Sequence, residues 1–228
     1  QSRLYGDANP SLTYTTTSLG SGAPLSGTLT TADATAGVGS YAIGQGTLTD
    51  AANPNYVLTY VGANLTITPR PLIVTGGTIS RFYGDANPAT TTAFTAPTGS
   101  AGSGGGLVNG DTISSVAVVS ATADPTTGVG SYAFTPGSAR FGSGSAGNYQ
   151  ISYVPGTLLV TARPVTITAD AQTRLYGEPN PSLTYTATSL GSGAPLSGSL
   201  ATADATTGVG SYAITQGTLT ASANPNYA

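Results

Sequence analysis

The sequence predicts an all-β chain made of small antiparallel β-sandwich domains in tandem. Three observations carry that expectation. Residues 3–56 recur at 174–227 with 45 of 54 aligned positions identical and no gap, which marks an array of small packages, each one supersecondary unit. Apolar residues alternate with Thr and other polar residues at a period of two, and no segment carries a convincing helical stripe. Turn residues return about every 8–12 positions, the spacing of short strands in a sandwich.

Taken in chain order, residues 12–19 place Leu12 and Tyr14 on one face and Thr13, Thr15 and Thr17 on the other. Residues 40–43 put Tyr41 and Ile43 on one face, and residues 56–60 do the same with Tyr56, Leu58 and Tyr60. The chain then passes through 61–64 to the alternating run 65–68, which reads as a hairpin. The matching position of the next copy is Pro155-Gly156, a turn dipeptide. Residues 70–78 and 163–171 each open a copy with Arg-Pro and a strand-like run. By this reading each unit holds roughly six or seven strands.

The Tyr-Gly pairs at Tyr5, Tyr83 and Tyr176 are 78 and 93 residues apart. Most of the excess is the Gly/Ser-rich stretch 97–110 of the middle copy. Added length of that composition belongs in a surface loop, where it costs little closure entropy. The expected organisation is a short unit at 1–69 lacking its first strand, a long unit at 70–162, and a short unit at 163–228 lacking its last strands. The incomplete end units read as a window on a longer array, the alternative being that neighbouring chains donate the missing strands. Proline in the joints at 68–72 and 161–165 fixes φ and extends the residue before it, so the units are expected to join stiffly into a rod. At about 30 Å per domain, the rod would be on the order of 90 Å long.

Composition excludes several classes. Charged residues are 7% of the chain, the net charge is −3, and there is no Lys. Nucleic acid and anionic membrane surfaces, which need basic patches, are therefore not expected as partners. No apolar run is long enough to span a bilayer, so no membrane insertion is expected. Without Cys or His there is no disulfide, zinc site or conventional catalytic triad. The carboxylates recur one per copy rather than in convergent pairs, so the chain is not expected to be an enzyme or to hold a cofactor.

The recurring polar residues have a functional and a structural reading. Tyr5, Tyr83 and Tyr176, each followed by Gly6, Gly84 or Gly177, suit either a platform for glycans or the anchoring of a strand-to-turn transition, the latter being the commoner fate of a buried Tyr. Tyr41, Tyr132 and Tyr212 in the Gly-Val-Gly-Ser-Tyr run fit a tyrosine-corner-like position. Tyr56, Tyr149 and Tyr227 close each Asn-Tyr and count as structural repeat positions. Asp7, Asp33, Asp85, Asp124 and Asp204 are weak calcium candidates, because calcium takes roughly six or more oxygens and no D-x-D cluster is present. A turn Asp bonding its own backbone is the simpler account. Arg3, Arg81 and Arg174 precede each Tyr-Gly and are placed to pair with the nearby Asp or Glu.

Four runs taken together carry a family resemblance over essentially the whole chain. They are Tyr-Gly-(Asp/Glu)-x-Asn-Pro, the Leu-Val-Asn-Gly-Asp run at 107–111, Gly-Val-Gly-Ser-Tyr-Ala-(Ile/Phe), and Asn-Tyr-x-(Leu/Ile)-(Thr/Ser)-Tyr-Val. This order resembles the MBG/YDG repeats found in tandem in very large secreted bacterial proteins of the filamentous-haemagglutinin-like adhesin type. The short units depart from it, with Gly-Ser-Gly-Ala-Pro-Leu-Ser-Gly in place of the Leu-Val-Asn-Gly-Asp segment. The resemblance implies an Ig-like sandwich, with a β-grasp-like sheet as the alternative. It also implies an extracellular or cell-surface location and an adhesive or scaffolding role. The role expected is a structural stalk, the alternatives being a polysaccharide-binding module and a filament that assembles by strand exchange. Its partners would be neighbouring repeats, with other copies of itself and extracellular polysaccharide as further candidates.

Overall fold

The computed structural model describes residues 1–228. Thirteen strands follow in order: β1 (Ser2–Leu4), β2 (Gly39–Ile43), β3 (Ala63–Thr68), β4 (Arg70–Gly76), β5 (Thr78–Phe82), β6 (Thr90–Thr91), β7 (Phe94–Thr95), β8 (Thr112–Ala121), β9 (Gly130–Ser143), β10 (Tyr149–Val154), β11 (Gly156–Thr161), β12 (Ile167–Ala169) and β13 (Tyr185–Ala187). The one helical element is a 3₁₀ turn at Ala146–Asn148. The chain is all-β, as its periodicity predicts.

Two compact units divide it, and neither coincides with a sequence repeat. The first comprises Gln1–Thr75, Phe94–Val116 and Gly137–Val154; the second comprises Gly76–Ala93, Ala117–Pro136 and Pro155–Ala228. The middle copy therefore contributes to both. In the first unit one sheet runs β1-β3-β2 and another β10-β4-β7. In the second, β12 pairs with β13, and β5-β11-β9-β8-β6 form a sheet to which β8 and β9 contribute their residues of that unit.

Strand alternation sets the two cores. Leu65 and Ile67 of β3 are buried while Asn64, Thr66 and Thr68 are exposed, and β4 buries Arg70, Leu72 and Val74 while exposing Pro71 and Ile73. In the first unit Tyr5, Ile43, Leu65 and Ile67 of the first copy pack with Leu72, Val74, Leu107, Val108, Val116 and Tyr149 of the middle copy. In the second, Ile79, Tyr83, Ala123, Phe134, Leu158 and Val160 of the middle copy pack with Tyr227 of the last. Each fully buried aliphatic side chain contributes roughly 1.5–3 kcal/mol. Much of that gain requires two consecutive repeats to be in place.

The sheets differ from a purely antiparallel sandwich: they are mixed. β2 and β3 pair antiparallel, as do β9 and β11, but β1 with β3, β4 with β10 and β5 with β11 pair parallel. The early strand of a repeat lies beside a late one running the same way. Local alternation specifies which face is buried, not the direction of a partner far along the chain.

The expected hairpin at Pro155-Gly156 is corrected by the same pairing. Tyr149 lies opposite Arg70 and Thr157 opposite Thr78, a separation of 79 residues in both cases, so one parallel register passes straight through the break. Glycine is required at position 156. A Cβ on Gly156 would lie 2.5 Å from the Gly77 carbonyl oxygen and 2.5 Å from Phe134 Cε1. Gly156→Ala is expected to destabilise the second unit by about 2–3 kcal/mol through overpacking, read as a shifted urea midpoint at unchanged slope. An unshifted midpoint would mean that this position relaxes freely.

Residues 12–19 and 56–60, expected as strands, are irregular in the first copy. Their counterparts in the middle copy, β7 and β10, flank β4 and bond to it. In the first copy residues 56–60 pair with no strand, and Val57 and Val61 are exposed.

Candidate functional site: the joint between repeats

Each unit contains one joint at which a Tyr-Gly-Asp end meets the Arg-Pro start of the following copy. Gly6 and Gly84 have φ of 78° and 82°, a left-handed conformation that glycine adopts without strain. The turn also brings the backbone close to the next repeat. A Cβ on Gly6 would collide with the Val108 side chain, and one on Gly84 would lie 2.5 Å from the Leu190 carbonyl oxygen.

The tyrosines beside these glycines are buried and pair edge-to-face with the Asn-Tyr tyrosine of the next copy. Tyr5 and Tyr149 have ring centroids 5.5 Å apart at 83°, and Tyr83 and Tyr227 are 5.3 Å apart at 86°. The asparagines that precede Tyr149 and Tyr227 accept from the backbone of the preceding copy. Val38 N–H donates to Asn148 Oδ1 at 3.0 Å, and Val129 N–H donates to Asn226 Oδ1 at 2.9 Å.

The hydroxyl partners differ between the joints. In the first, Tyr5 and Tyr149 both donate to Asp111 Oδ2, at 3.1 and 2.7 Å, and Val108 N–H donates to the Tyr149 oxygen at 3.1 Å. In the second, where the Leu-Val-Asn-Gly-Asp segment is replaced, Ala194 supplies both partners. Its N–H donates to the Tyr83 oxygen at 3.1 Å, and its carbonyl accepts from Tyr227.

A guanidinium closes each joint. Arg70 is fully buried; its Nη1 donates to the Tyr5 carbonyl at 3.0 Å and to Asp7 Oδ1 at 2.8 Å. Its Nη2 donates to the Ser100 carbonyl at 2.6 Å and to Ser103 Oγ at 2.8 Å, both within the Gly/Ser stretch. Gly102 N–H adds a third contact to the same cluster, reaching Asp7 Oδ1 at 2.8 Å. Arg163 reaches the Tyr83 carbonyl through Nε at 2.7 Å and Asp85 through Nη2. Thus Asp7 and Asp85 pair with the arginine of the next repeat rather than with Arg3 or Arg81. Those two instead donate through Nε to Asn9 and Asn87, each at 2.7 Å, and through Nη2 to the carbonyls of Asp33 and Asp124.

Charges and phenols respond to these surroundings. Burial pushes the Asp7 carboxyl upward, but the Gly102 N–H and Arg70 outweigh it and hold it below the usual carboxylate range. Burial raises Tyr149 well above the tyrosine range; the Val108 N–H opposes this and Asp111 reinforces it. Tyr227 is also raised, chiefly by burial and then by Tyr83. A phenol whose folded pKa lies above its unfolded value contributes stability below about pH 10, lost as pH rises toward the folded value. An alkaline titration is therefore expected to show a late fraction of phenolate absorbance that appears together with unfolding. If all 13 tyrosines ionised in one step while the fold persisted, the buried pairs would not exist as described.

The other predicted positions serve their own turns. Tyr41, Tyr132 and Tyr212 donate to the carbonyls of Gly37, Gly128 and Gly208, four residues upstream, at 2.9, 2.9 and 3.0 Å. Tyr56 donates to the Ala23 carbonyl at 2.8 Å. Asp33 Oδ1 accepts from the hydroxyl and N–H of Thr35, and Asp124 Oδ1 from the Thr126 and Thr127 hydroxyls and the Thr126 N–H. Both carboxyls are lowered, chiefly by these hydroxyls. The Asp204 carbonyl accepts from Arg174 at 3.1 Å, while Leu175 and Tyr176 are largely exposed. Gly177, also at positive φ, has open space around it. The five aspartates lie singly, and no three acidic side chains converge.

Arg70, Arg163, Asn148, Asn226 and Asp111 are joint residues that the sequence reading did not single out. Their signal was there, since a chain with only six basic residues repeats an Arg at each Arg-Pro. Two surface grooves remain. One is about 1110 Å³, bordered by residues 13–19 and 56–61; the other is about 550 Å³, bordered by residues 169–176 and 207–212.

These features define an all-β tandem-repeat protein whose copies are joined through shared cores and a repeated Tyr-Gly-acid/Arg-Pro clamp. A comparison with known families matches the MBG domain (YGX type) three times, over residues 1–66, 72–159 and 165–228, and the chain belongs to that family. Domains of this family are repeats of bacterial surface proteins. No curated protein and no solved structure matches the chain.

Proposed function

We propose that this chain is a structural segment of a bacterial extracellular or surface adhesin, a stiff spacer that holds a distal region away from the cell or builds matrix. The observation that carries the reading is the use made of the repeated side chains. At both joints Tyr, Asn, Asp and Arg bond across to the neighbouring repeat, where a binding module would present them to solvent. Joints built from packed cores and buried hydrogen bonds resist bending, as a spacer requires. The role needs no catalysis and no cofactor.

Light scattering with electron microscopy tests it, on this chain and on one with completed end units. Both are expected to be monomeric rods on the order of 90 Å or longer, unretained on extracellular polysaccharide. Compact particles, or retention on polysaccharide, would overturn the spacer reading.

A second reading, assembly by strand exchange, has one observation in its favour. The two grooves occupy the positions that β4 and β11 fill in the middle repeat, where each of those strands pairs in parallel with a strand of its own copy, so a strand of another chain could enter either groove in the same way. It expects long filaments from this chain and none from one with completed end units.

A further inference from the structure

The two joints share one plan, but the Gly/Ser stretch is present at only one of them. We infer that this stretch is a clamp, and that the array alternates strong joints, closed by the stretch, with weak joints that yield first. The inference rests on the spacer reading for its purpose but not for its test.

The difference is visible atom by atom. At the clamped joint Arg70 makes four hydrogen bonds, two of them to Ser100 and Ser103 of the stretch. The stretch holds its own shape: Ser103 Oγ accepts from Ser100 N–H at 3.1 Å and donates to the Gly105 carbonyl at 3.0 Å. Gly106 N–H ties it to the Pro71 carbonyl, next to Arg70. The ion pair beneath is removed from water, with side-chain exposures of 0% for Arg70 and 21% for Asp7. Arg70 Nε is buried without a partner, the single such side-chain atom in the chain. In Arg163 the same atom binds the Tyr83 carbonyl.

At the unclamped joint the Arg163 side chain makes two hydrogen bonds, and the pair is partly open to solvent, 14% exposed for Arg163 and 45% for Asp85. The central carboxylate is lost as well. Asp111 bridges two phenols at the first joint, where Ala194 offers only its backbone at the second. Hydrogen bonds to charged groups are worth more than neutral ones, so the two added bonds to the stretch and the Asp111 bridge outweigh the one unpaired Nε and favour the first joint. The repeat length sets the geometry: one weak joint recurs per short-plus-long pair of 171 residues. Under load such a chain extends by opening every second joint while the clamped pairs stay folded.

Hydrogen exchange of the full chain, read by mass spectrometry along a urea series, tests the order of opening. Amides at the second joint (83–85, 190–194 and 224–227) are expected to exchange at least about tenfold faster than those at the first (5–7, 107–111 and 148–149) at intermediate urea. Deleting residues 100–105 should bring the first joint down to the level of the second, and Ser103→Ala should move it part of the way. A chain extended past Ala228 with a copy of residues 57–69 must keep the same order, which separates the clamp from any end effect. Simultaneous opening, the reverse order, an order indifferent to the deletion, or an order lost on extension would each overturn the inference while leaving the spacer reading standing.

Discussion

Arg70→Ala is expected to destabilise the first unit by about 3 kcal/mol, against about 1 kcal/mol for Arg163→Ala in the second. The two arginines hold the same place in the repeat and contact the same partners, the Tyr carbonyl and the Asp of the preceding copy. What differs is water. Removing Arg70 strands the buried Tyr5 carbonyl and takes the cation from the Asp7 carboxylate, only 21% exposed, where solvent replaces it poorly. Removing Arg163 leaves Asp85 nearly half exposed, and water substitutes. The loss at Arg70 should also depend on pH. Asp7 is held below its ordinary range, so its pairing contributes stability that is full above about pH 4 and disappears as pH falls through the lowered value. Urea unfolding followed by tyrosine fluorescence at pH 7 and in acid measures both effects. The difference between parent and Arg70→Ala should shrink on acidification. Equal losses from the two arginine variants would show that burial of the first pair contributes nothing.

The contrast between these arginines also shows what the sequence makes legible. Alternation at 65–68 reveals buried Leu65 and Ile67, because a strand with one wet face must show that period. The Tyr-Gly turns were legible for the same kind of reason: Gly6 and Gly84 take a φ that other residues avoid. The pairing was not legible. Arg3 lies opposite Ile67 and Arg81 opposite Val160, separations of 64 and 79 residues, and nothing within ten residues of either arginine encodes a partner so distant. The difference of 15 between those separations equals the extra length of the middle copy, a regularity visible only once the pairing is known. Proximity in sequence also misassigned the ion pairs. Asp7 is four residues from Arg3, yet it binds Arg70, because the turn at Gly6 aims its side chain at the next repeat.

Of the side chains buried in the second unit, Phe134 should be the costliest to truncate. Phe134→Ala is expected to remove about 4–5 kcal/mol from the second unit, near the top of the range for a buried aromatic. The ring is 1% exposed and packs in the core of the second unit. Its neighbours there are Gly76 and Gly156; a Cβ on Gly76 would come within 2.9 Å of Phe134 Cζ. A cavity bordered by two glycines has few side chains that can move into it, so little of the loss is recovered by collapse. The first copy supplies an internal comparison. Ile43 takes the place of Phe134, and the residue opposite it is Ala63 rather than Gly156, so a smaller side chain faces a larger partner at the same position. Ile43→Ala should therefore lose less, about 2–3 kcal/mol. Phe134→Ile should fall between Phe134→Ala and the parent, and adding Gly156→Ala to it should not restore stability, since the Gly77 carbonyl still opposes a Cβ there. Urea midpoints for the four variants decide the matter. Recovery in the double variant would mean that the ring alone, and not the backbone, demands glycine at 156.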